Sequence, residues 1–428
     1  MCNPPDKTMP LSHRLLPSLT FLAFLFTTAA VQAADWPQFR GPNRDGSSTE
    51  KNLPTTWSDA DVAWKVKLPG HGSSSPIVFG NKVIVTCYTG YGLDEGNPGD
   101  QSRLARLVLC YDLATGKDLW KFETKASVPE EEFQGFQALH GYASSTPATD
   151  GELVYVFFGR SGVGALGLDG KAKWAQKVGD KTHSWGSGTS PLVYKNLVIV
   201  NAQVEGSGLV ALNKKTGKPA WSAKGIRSAW NSPTLVQPAG GKPEVVISVQ
   251  GQVLAFDPDT GAPLWRSSGI QDYVGPSIIA VNGHVLAIGA RSGMGVLIKA
   301  GGRGEVSPVW EVGKGSNVSS PVYHDGYFYW THESNGIVYC VDAKSGRVMY
   351  EQRLNPRPDR IYASPVVADG KIYFVSRNNG TFVVAAKPQF ELVAHNPPLD
   401  DSVFNASPAI SSGKLLLRSD EYLYALGK

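Results

Sequence analysis

The stretch AFDPDTGAPLW (255–265) decides how this chain folds, because Asp257, Asp259 and Gly261 stand in the order that begins an EF-hand calcium loop. Three other stretches share its outline: CYDLATGKDLW (110–120), ALNKKTGKPAW (211–221) and CVDAKSGRVMY (340–350). They keep Asp or Asn first and Gly fifth, but they place Ala or Lys third, where a calcium loop needs an oxygen ligand. We therefore predict no metal here. The pattern favours a hairpin turn, in which the Asx side chain accepts backbone N–H groups and Gly adopts a left-handed conformation.

A proline, preceded in most copies by serine, marks the start of a longer repeat. After a first interval of 71 residues the prolines follow one another at 42 to 45 residues, at Pro76, Pro147, Pro191, Pro233, Pro276, Pro321, Pro365 and Pro408. Most are followed by two apolar stretches around a turn, as in ATDGELVYV (148–156), and then by a third strand that ends in the turn described above. Each repeat has the length and pattern of a four-stranded propeller blade.

The last repeat ends at YLYALGK (422–428), before any outer strand. Near the other end, VAWKVKL (62–68) has a strand pattern and belongs to no complete repeat. Placed as the outer strand of the last blade, it closes the ring and removes exposed strand edges. The sequence thus predicts an all-β chain with an eight-bladed β-propeller of four-stranded antiparallel blades over residues 62–428.

The repeat Ser-Pro, turn, strand, Ala-x-Asp-x-x-Thr-Gly-x-x-x-Trp resembles that of the pyrroloquinoline-quinone (PQQ) propellers, the quinoprotein alcohol dehydrogenase-like family. The resemblance extends from about Val62 to the end, and implies the propeller fold. It leaves function open, since relatives include dehydrogenases and a non-catalytic outer-membrane assembly lipoprotein. DWPQFRGPNRDG (35–46) is similar to the mature start of secreted bacterial members. We expect residues 34–61 to pack on the propeller, with Trp36 and Phe39 covering its rim.

The N-terminus has the features of an export signal. Lys7 and Arg14 precede an apolar run that ends in VQA (31–33), the order of a secretory signal peptide. We expect residues 1–33 to be cleaved off after Ala33, which predicts a periplasmic or secreted protein of a bacterium. A transmembrane anchor is the alternative, but the run is short and Pro17 interrupts it. No other stretch could span a membrane, and a mature net charge of +3 without a basic run predicts no nucleic-acid partner.

Two of the cysteines occupy equivalent places in the repeat. Cys110 and Cys340 stand two residues before the Asx position, where other repeats have Ala or Gly, so we expect both to fill a tight buried slot. The alternative, a disulfide between Cys87 and Cys110 on adjacent strands, would be permitted in an exported protein. Spacing alone leaves this open.

Blade connectivity predicts which face carries the function. The hairpin turns of the first-to-second and third-to-fourth strands share one face, so the second-to-third loops, the blade connections and both insertions of the first blade share the other. Segments before the prolines are rich in aromatic and polar residues there. We predict that they form a ligand-binding mouth around the central channel; the candidates are Trp185, Trp230, Tyr273, Tyr362, Arg227, Arg360, His140, His183 and Asn405. Alternatively, the aromatic residues only plug the channel and the histidines cap loop backbone groups.

Three functions fit this outline. The favoured one is a non-catalytic binding or scaffold module that takes an envelope protein, a peptide or a glycan and needs no cofactor. The second, implied by the resemblance, is a quinoprotein dehydrogenase that oxidises an alcohol or sugar with PQQ and calcium. However, the sequence lacks an adjacent cysteine pair and the family's carboxylate set, and no catalytic residue can be assigned. The third, polysaccharide cleavage by Glu130, Glu131, Glu132 and His140, is disfavoured because carboxylate runs are usually solvated loops.

Overall fold

The described part of the chain is built almost entirely from antiparallel sheets. The computed structural model describes residues 1–5, 34–289 and 293–427. The predicted leader therefore lies, but for its first five residues, outside the described residues. Among the described residues the helices are short: α1 (Gly135–His140) and three 3₁₀ turns, Asp59–Asp61, Gln101–Arg103 and Gly159–Ser161. No helix among them is long and apolar enough to cross a bilayer.

The first four blades follow one another along the chain, each with its innermost strand first. They are blade 1, β2 (Ile77–Phe79), β3 (Lys82–Thr89), β4 (Ala105–Asp112), β5 (Asp118–Lys125); blade 2, β6 (Ala148–Thr149), β7 (Leu153–Phe157), β8 (Val163–Gly167), β9 (Ala172–Gln176); blade 3, β10 (Leu192–Tyr194), β11 (Leu197–Ala202), β12 (Gly208–Asn213), β13 (Pro219–Ala223); and blade 4, β14 (Thr234–Val236), β15 (Glu244–Val249), β16 (Gln252–Phe256), β17 (Pro263–Ser268).

The remaining four blades complete the ring. They are blade 5, β18 (Ile279–Val281), β19 (His284–Gly289), β20 (Met294–Lys299), β22 (Trp310–Val312); blade 6, β23 (Val322–His324), β24 (Tyr327–His332), β25 (Ile337–Asp342), β26 (Val348–Arg353); blade 7, β27 (Val366–Ala368), β28 (Lys371–Val375), β29 (Thr381–Ala385), β30 (Leu392–Asn396); and blade 8, β31 (Ala409–Ser411), β32 (Lys414–Arg418), β33 (Tyr422–Leu426), β1 (Val62–Lys67). The pairing of β1 with β33 confirms the predicted closure of the last blade by both ends of the propeller.

Blade 4 has one strand more than predicted. The short strand β21 (Gly304–Val306) pairs in parallel with the outer strand of that blade, Trp265 opposite Gly304. It belongs to the link between β20 and β22 of blade 5, where AGGRGEVSP (300–308) replaces the compact turn of the other repeats. The longer link reaches the neighbouring blade and covers its edge.

The opening stretch is the turn that was predicted. The Asp257 carboxylate accepts the backbone N–H groups of Asp259 at 2.8 Å and Thr260 at 3.1 Å, and the Gly261 N–H donates to the Asp257 carbonyl at 2.8 Å. Gly261 has φ +74°, the left-handed conformation that glycine adopts without steric cost. Because the Asp257 side chain is engaged with the backbone, it stabilises the hairpin.

Tryptophans of the outer strands connect neighbouring blades through these turns. In five places the indole N–H donates to a backbone carbonyl in the turn of the next blade, at 2.9 to 3.1 Å: Trp64 to Leu113, Trp120 to Leu168, Trp174 to Lys214, Trp221 to Pro258 and Trp310 to Ala343. In each case the ring lies over the glycine of that turn. The repeated aromatic residue is therefore a contact between blades, as its period indicated.

The segment before β1 lies on the face that carries the turns. Trp36 exchanges two backbone hydrogen bonds with Val78 in the middle of β2, and the Ser48 N–H donates to the Val367 carbonyl in β27. Arg44 reaches the Val193 carbonyl in β10 at 3.1 Å. These contacts join one short segment to inner strands of blades 1, 3 and 7, so that it crosses this end of the central channel.

Candidate functional site

The candidate site is the mouth of the channel on the face opposite the turns. The second-to-third loops and the blade connections meet here, as the strand order requires. The first blade contributes its two insertions, the link between β3 and β4 and the link from β5 to β6, which contains α1.

Eight hydroxyl groups form a closed ring at the neck of the channel. The backbone N–H of each ring residue donates to the hydroxyl of the next one at 2.9 to 3.1 Å, and the series returns to its start: Ser75, Thr146, Ser190, Ser232, Ser277, Ser320, Ser364 and Ser407. All eight are at least 92% buried. The serine before the repeat proline is therefore an inter-blade hydrogen-bond acceptor, which explains why the pattern requires a small hydroxyl side chain.

The ring also corrects the alignment of the fifth repeat. There the ring residue is Ser277, which follows Pro276, whereas in the other repeats the hydroxyl residue precedes the proline. The sequence repeat was thus two residues out of register in this blade. Tyr273 stands four residues before its ring position, and Gly275 occupies the place held by Trp230, Tyr362 and Asn405.

A cavity of about 230 Å³ extends from the mouth to this ring. Its wall is formed by the ring hydroxyls and by the residues two positions before them, among them Trp230, Tyr362 and Asn405. Phe39, from the segment that crosses the other face, also lines it. Phe39 was expected on the rim, but it reaches the channel, so the cavity is a cup that this side chain helps to close at its base.

Three of the aromatic candidates, Trp185, Trp230 and Tyr273, form one cluster on the blade 2 to blade 4 side, whereas Tyr362 lies apart beside Arg360 and Arg377. The Trp185 ring centroid lies 4.7 Å from that of Trp230, 4.5 Å from Tyr273 and 5.0 Å from Phe136. The Trp230 indole donates to the Gly186 carbonyl at 3.0 Å. Mutual edge-to-face packing holds these rings in place, so the wall they give to the cavity is preformed.

His140 has a structural position in this wall. One ring nitrogen is 2.5 Å from the Ser144 hydroxyl and the other is 2.8 Å from the Trp185 carbonyl. Burial lowers the pKa of His140, because it disfavours the charged imidazolium. Since both nitrogens are engaged, His140 holds the Trp185 loop against the first-blade insertion and is not available as an acid or base.

Not all nine predicted residues line the cavity. Six do: Trp185, Trp230, Tyr273, Tyr362, His140 and Asn405. His183 packs against the Trp230 ring at 4.9 Å but faces a neighbouring small pocket. Arg227 and Arg360 lie outside the lining, although Arg360 donates to the Tyr362 hydroxyl at 2.9 Å. The arginines therefore belong to the rim.

Apart from the glycines and small hydroxyl residues of the wall, five lining residues are missing from the nine candidates: Phe39, Phe136, Leu139, Asn317 and Val318. Phe136 and Leu139 lie on or next to an insertion without a repeat equivalent, so no alignment could position them. Val318 could have been found, because it stands two residues before Ser320, the spacing that separates Trp230 from Ser232.

A second, small pocket beneath the Trp185 loop contains a buried carboxylate. Glu205 is 2% exposed, and its oxygens make no normal hydrogen bond with a described residue, although Ser187 lies nearby. Burial raises the pKa of Glu205 to about 7. In the same pocket Arg106 and Glu130 form a buried ion pair at 2.6 Å. Glu130 is therefore a structural ion-pair partner.

The thiols of the propeller are free and buried. Cys110 is 1% exposed and Cys340 is fully buried, as predicted for the tight slot. Cys110 pairs with Ile84 across the sheet, whereas Cys87 pairs with Leu107, three residues away along the strand. An odd separation places the two side chains on opposite sheet faces. The alternative of a Cys87–Cys110 disulfide is therefore wrong.

The mouth does not fit PQQ with calcium. Among the described residues that line it, none is Asp, Glu, Lys or Arg, so the cofactor carboxylates would meet no cation inside the cavity. The described residues contain no cluster of three His, Cys, Asp or Glu side chains that could hold a metal ion. No reaction step can be derived through this cofactor.

Comparison with known proteins agrees with the fold. The chain matches the family described as outer membrane protein assembly factor BamB over residues 104–352 and 250–426, and it belongs to that family. It is 24% identical over 366 residues to BamB of Burkholderia pseudomallei (strain K96243), covering 80% of this chain and 84% of that protein.

Two solved structures show how widely the fold is shared. BamB from Moraxella catarrhalis superposes with a TM-score of 0.60 at 14% identity and covers 86% of this chain and 97% of that one. A europium-containing methanol dehydrogenase gives a TM-score of 0.65 at 13% identity, over 92% and 98% of the two chains. At such identities the likeness establishes the fold and leaves function to the site.

Proposed function

We propose that this chain is a non-catalytic binding or scaffold propeller of the bacterial cell envelope, which holds a partner protein at its mouth. Membership of a family described as an outer membrane protein assembly factor supports a task of this kind. We further propose that the chain is exported and that residues 1–33 are removed. Export would bring the chain to partner proteins outside the cytoplasm. Residues 34–61 would act as a fixed base of the cup.

The observation that carries the proposal is the chemistry of the cup. Acid–base or nucleophilic catalysis needs an ionisable side chain within hydrogen-bond reach of the reacting atoms. The described lining has no Asp, Glu, Lys, Arg or Cys, and both nitrogens of its one imidazole, His140, are occupied. Its ring hydroxyls accept backbone N–H groups, and the Tyr362 hydroxyl accepts from Arg360. What the cup does offer is a rigid aromatic wall and a ring of hydroxyls, which suit recognition.

Site-specific photo-crosslinking in cells tests the proposal. A photoreactive amino acid is placed at Val318 in the mouth, or at Lys215 in the exposed turn on the opposite face, and both versions of the full chain are expressed at equal levels. We expect a defined crosslink to an envelope protein from position 318 and none from position 215. An absence of crosslinks at 318, or the same crosslinks from both positions, would contradict the use of the mouth.

A second experiment addresses the dehydrogenase alternative. The purified chain is heated with saturating PQQ and Ca²⁺, and its melting temperature is compared with that of the free chain. We expect no shift in the melting temperature, because the described lining of the cup has no cation for the PQQ carboxylates and a ligand that does not bind the native state does not stabilise it. A saturable rise, together with dye-linked oxidation of an alcohol, would replace the scaffold function by the enzymatic one.

A further inference from the structure

The mouth face carries most of the exposed large apolar side chains that the described propeller has. Leu93, Val128, Phe136 and Val318 are 37% to 45% exposed, and all four lie on the loops of this face. Phe136 and Val318 also line the cavity. Exposed apolar groups that converge on a cavity indicate a surface that is covered in use.

The interior of the cup selects a neutral group. Its described lining has aromatic and aliphatic side chains, hydroxyls, two amides and the imidazole of His140, and it contains no Asp, Glu, Lys or Arg. A buried charge without a partner would be costly there. Phe39 helps to close the base of the cup, so a polypeptide cannot pass through the channel. The cup therefore accepts a side chain of the ligand, and the ligand's main chain must cross the mouth.

The rim adds a positive charge on one side. Arg227, Arg360 and Arg377 stand on the blade 3 to blade 7 half and make no ion pair with a described residue. Arg360 and Arg377 flank one phenol of the wall: the first donates to the Tyr362 hydroxyl at 2.9 Å, and the guanidinium of the second lies 4.9 Å from its ring centroid. Three acids, Asp272, Glu333 and Asp359, share this half; Asp359 is engaged with Asn378 at 2.7 Å, and Glu333 accepts the Asn317 N–H at 3.0 Å.

The opposite half of the rim is acidic. The first-blade insertions carry Asp94, Glu95, Asp100, Glu131 and Glu132, which outnumber the basic residues Arg103, in the same insertions, and Arg160, in the neighbouring loop of blade 2. An acidic ligand would be repelled there and attracted across the channel, whereas a basic one would be drawn away from Tyr362 and its arginines. The charge pattern thus distinguishes ligands by sign and direction.

We propose that the mouth binds an extended acidic peptide segment of a partner protein, which inserts one aromatic side chain into the cup and pairs its carboxylates with Arg227, Arg360 and Arg377. This proposal rests on the proposed function and specifies its ligand. The aromatic side chain would pack on the Trp230 wall above the hydroxyl ring. Arg227 lies at the blade 3 end of this half of the rim and Arg360 with Arg377 at its blade 7 end, so the two ends match carboxylates on either side of an aromatic anchor.

Binding of blocked synthetic peptides to the full chain tests this. The probe is a fluorescent heptapeptide with one Phe between two pairs of Asp, measured by anisotropy at low and at physiological salt. Comparison peptides replace Phe by Ala, or Asp by Lys or Asn. We expect the Asp–Phe peptide to bind at least tenfold more tightly than each comparison peptide, and its affinity to fall with salt.

Variants locate the site. Arg360→Ala with Arg377→Ala, and separately Val318→Asp, should each weaken the Asp–Phe peptide at least fivefold. Arg347→Ala, an exposed arginine of the turn face, should leave its affinity unchanged. Melting curves verify that each variant is folded; since Val318 is partly exposed, its substitution keeps the test meaningful even when the double arginine variant unfolds.

The outcomes separate this inference from the proposed function. Equal binding of the Lys peptide, preference for an oligosaccharide panel, or insensitivity to Val318→Asp overturns the acidic aromatic ligand. If the peptide does not bind but position 318 still crosslinks to an envelope protein, the ligand chemistry is wrong and the scaffold function stands. If both fail, the proposed function falls as well.

Discussion

The indole ring of Trp221 in blade 3 lies against Gly261 in blade 4, so closely that a β-carbon on the glycine would come within 2.5 Å of the ring. The same indole donates to the Pro258 carbonyl at 3.1 Å. Gly261 thus closes its own hairpin turn and also leaves room for the Trp221 ring of the neighbouring blade. This contact also identifies what an acidic, calcium-like motif does in a propeller.

Substitution of Gly261 by Ala should destabilise the propeller more than the same change at Gly251. Both glycines have positive φ, +74° and +82°, so both variants incur a backbone cost of about 1 kcal/mol. A β-carbon at Gly251 meets nothing within 4 Å, whereas at Gly261 it displaces Trp221. We expect an additional loss of about 1–3 kcal/mol in the unfolding free energy, measured by urea denaturation. Equal losses of unfolding free energy in the two variants would show that the Trp221 ring moves aside without a cost.

The hydroxyl ring predicts a difference between two buried serines of blade 6. Ser320 accepts the Ser277 N–H at 2.9 Å, so Ser320→Ala leaves a buried donor unsatisfied and should cost about 1–3 kcal/mol. Ser316 is equally buried, but its hydroxyl has no partner among the described residues. Ser316→Ala should be neutral or stabilising. Chemical denaturation of both variants measures this, and similar losses would argue against the ring as a stabilising element.

Glu205 predicts a pH-dependent stability. Its folded pKa of about 7 exceeds the ordinary value of 4.5, so the native state binds the extra proton between these values. The contribution of Glu205 to the unfolding free energy is therefore fully present below about pH 4.5, and it is lost as the pH rises through about 7. Glu205→Gln should remove this loss and gain up to about 3 kcal/mol at pH 8 relative to the parent.

The measurement is the difference in unfolding free energy between Glu205→Gln and the parent from pH 4.5 to 8. Taking the difference removes the contributions of other titrating groups, including His140, whose lowered pKa acts in the opposite direction. Glu152→Gln, at an exposed carboxylate of blade 2, is the matched control variant. A flat difference for Glu205→Gln would mean that the carboxylate is hydrated or paired.

The three propeller thiols should react only after unfolding. Cys87, Cys110 and Cys340 are at most 1% exposed, and burial raises the pKa of each thiol, which disfavours the reactive thiolate. A thiol reagent should label none of them in the native protein and all three in denaturant without prior reduction. Failure of Cys87 and Cys110 to react under denaturing conditions would reveal the disulfide that the strand register excludes.

The sequence was sufficient for the architecture because the propeller repeats its local interactions. The Asx turn, the tryptophan eight residues later and the hydroxyl beside the proline each satisfy a short-range or nearest-blade requirement, and eight copies make the period visible. Blade number, closure by β1 and the face of the mouth follow from that period and from antiparallel strand order. The one register error, at Pro276, arose because the proline itself makes no ring contact, whereas the neighbouring hydroxyl does.

The site could be derived only in part. The aromatic candidates Trp185, Trp230 and Tyr362 were predicted because they stand near a repeated proline. The period alone could not separate residues that line the cavity from residues at its rim, where Arg227 and Arg360 lie. Only the tertiary structure brought Phe39 to the base of the cup and α1 to its wall, since both come from segments without a repeat equivalent. The sequence by itself determined the eight-bladed propeller. The depth of the cup, its uncharged lining and the uneven charge of its rim were decided by contacts between residues that are hundreds of positions apart in the chain.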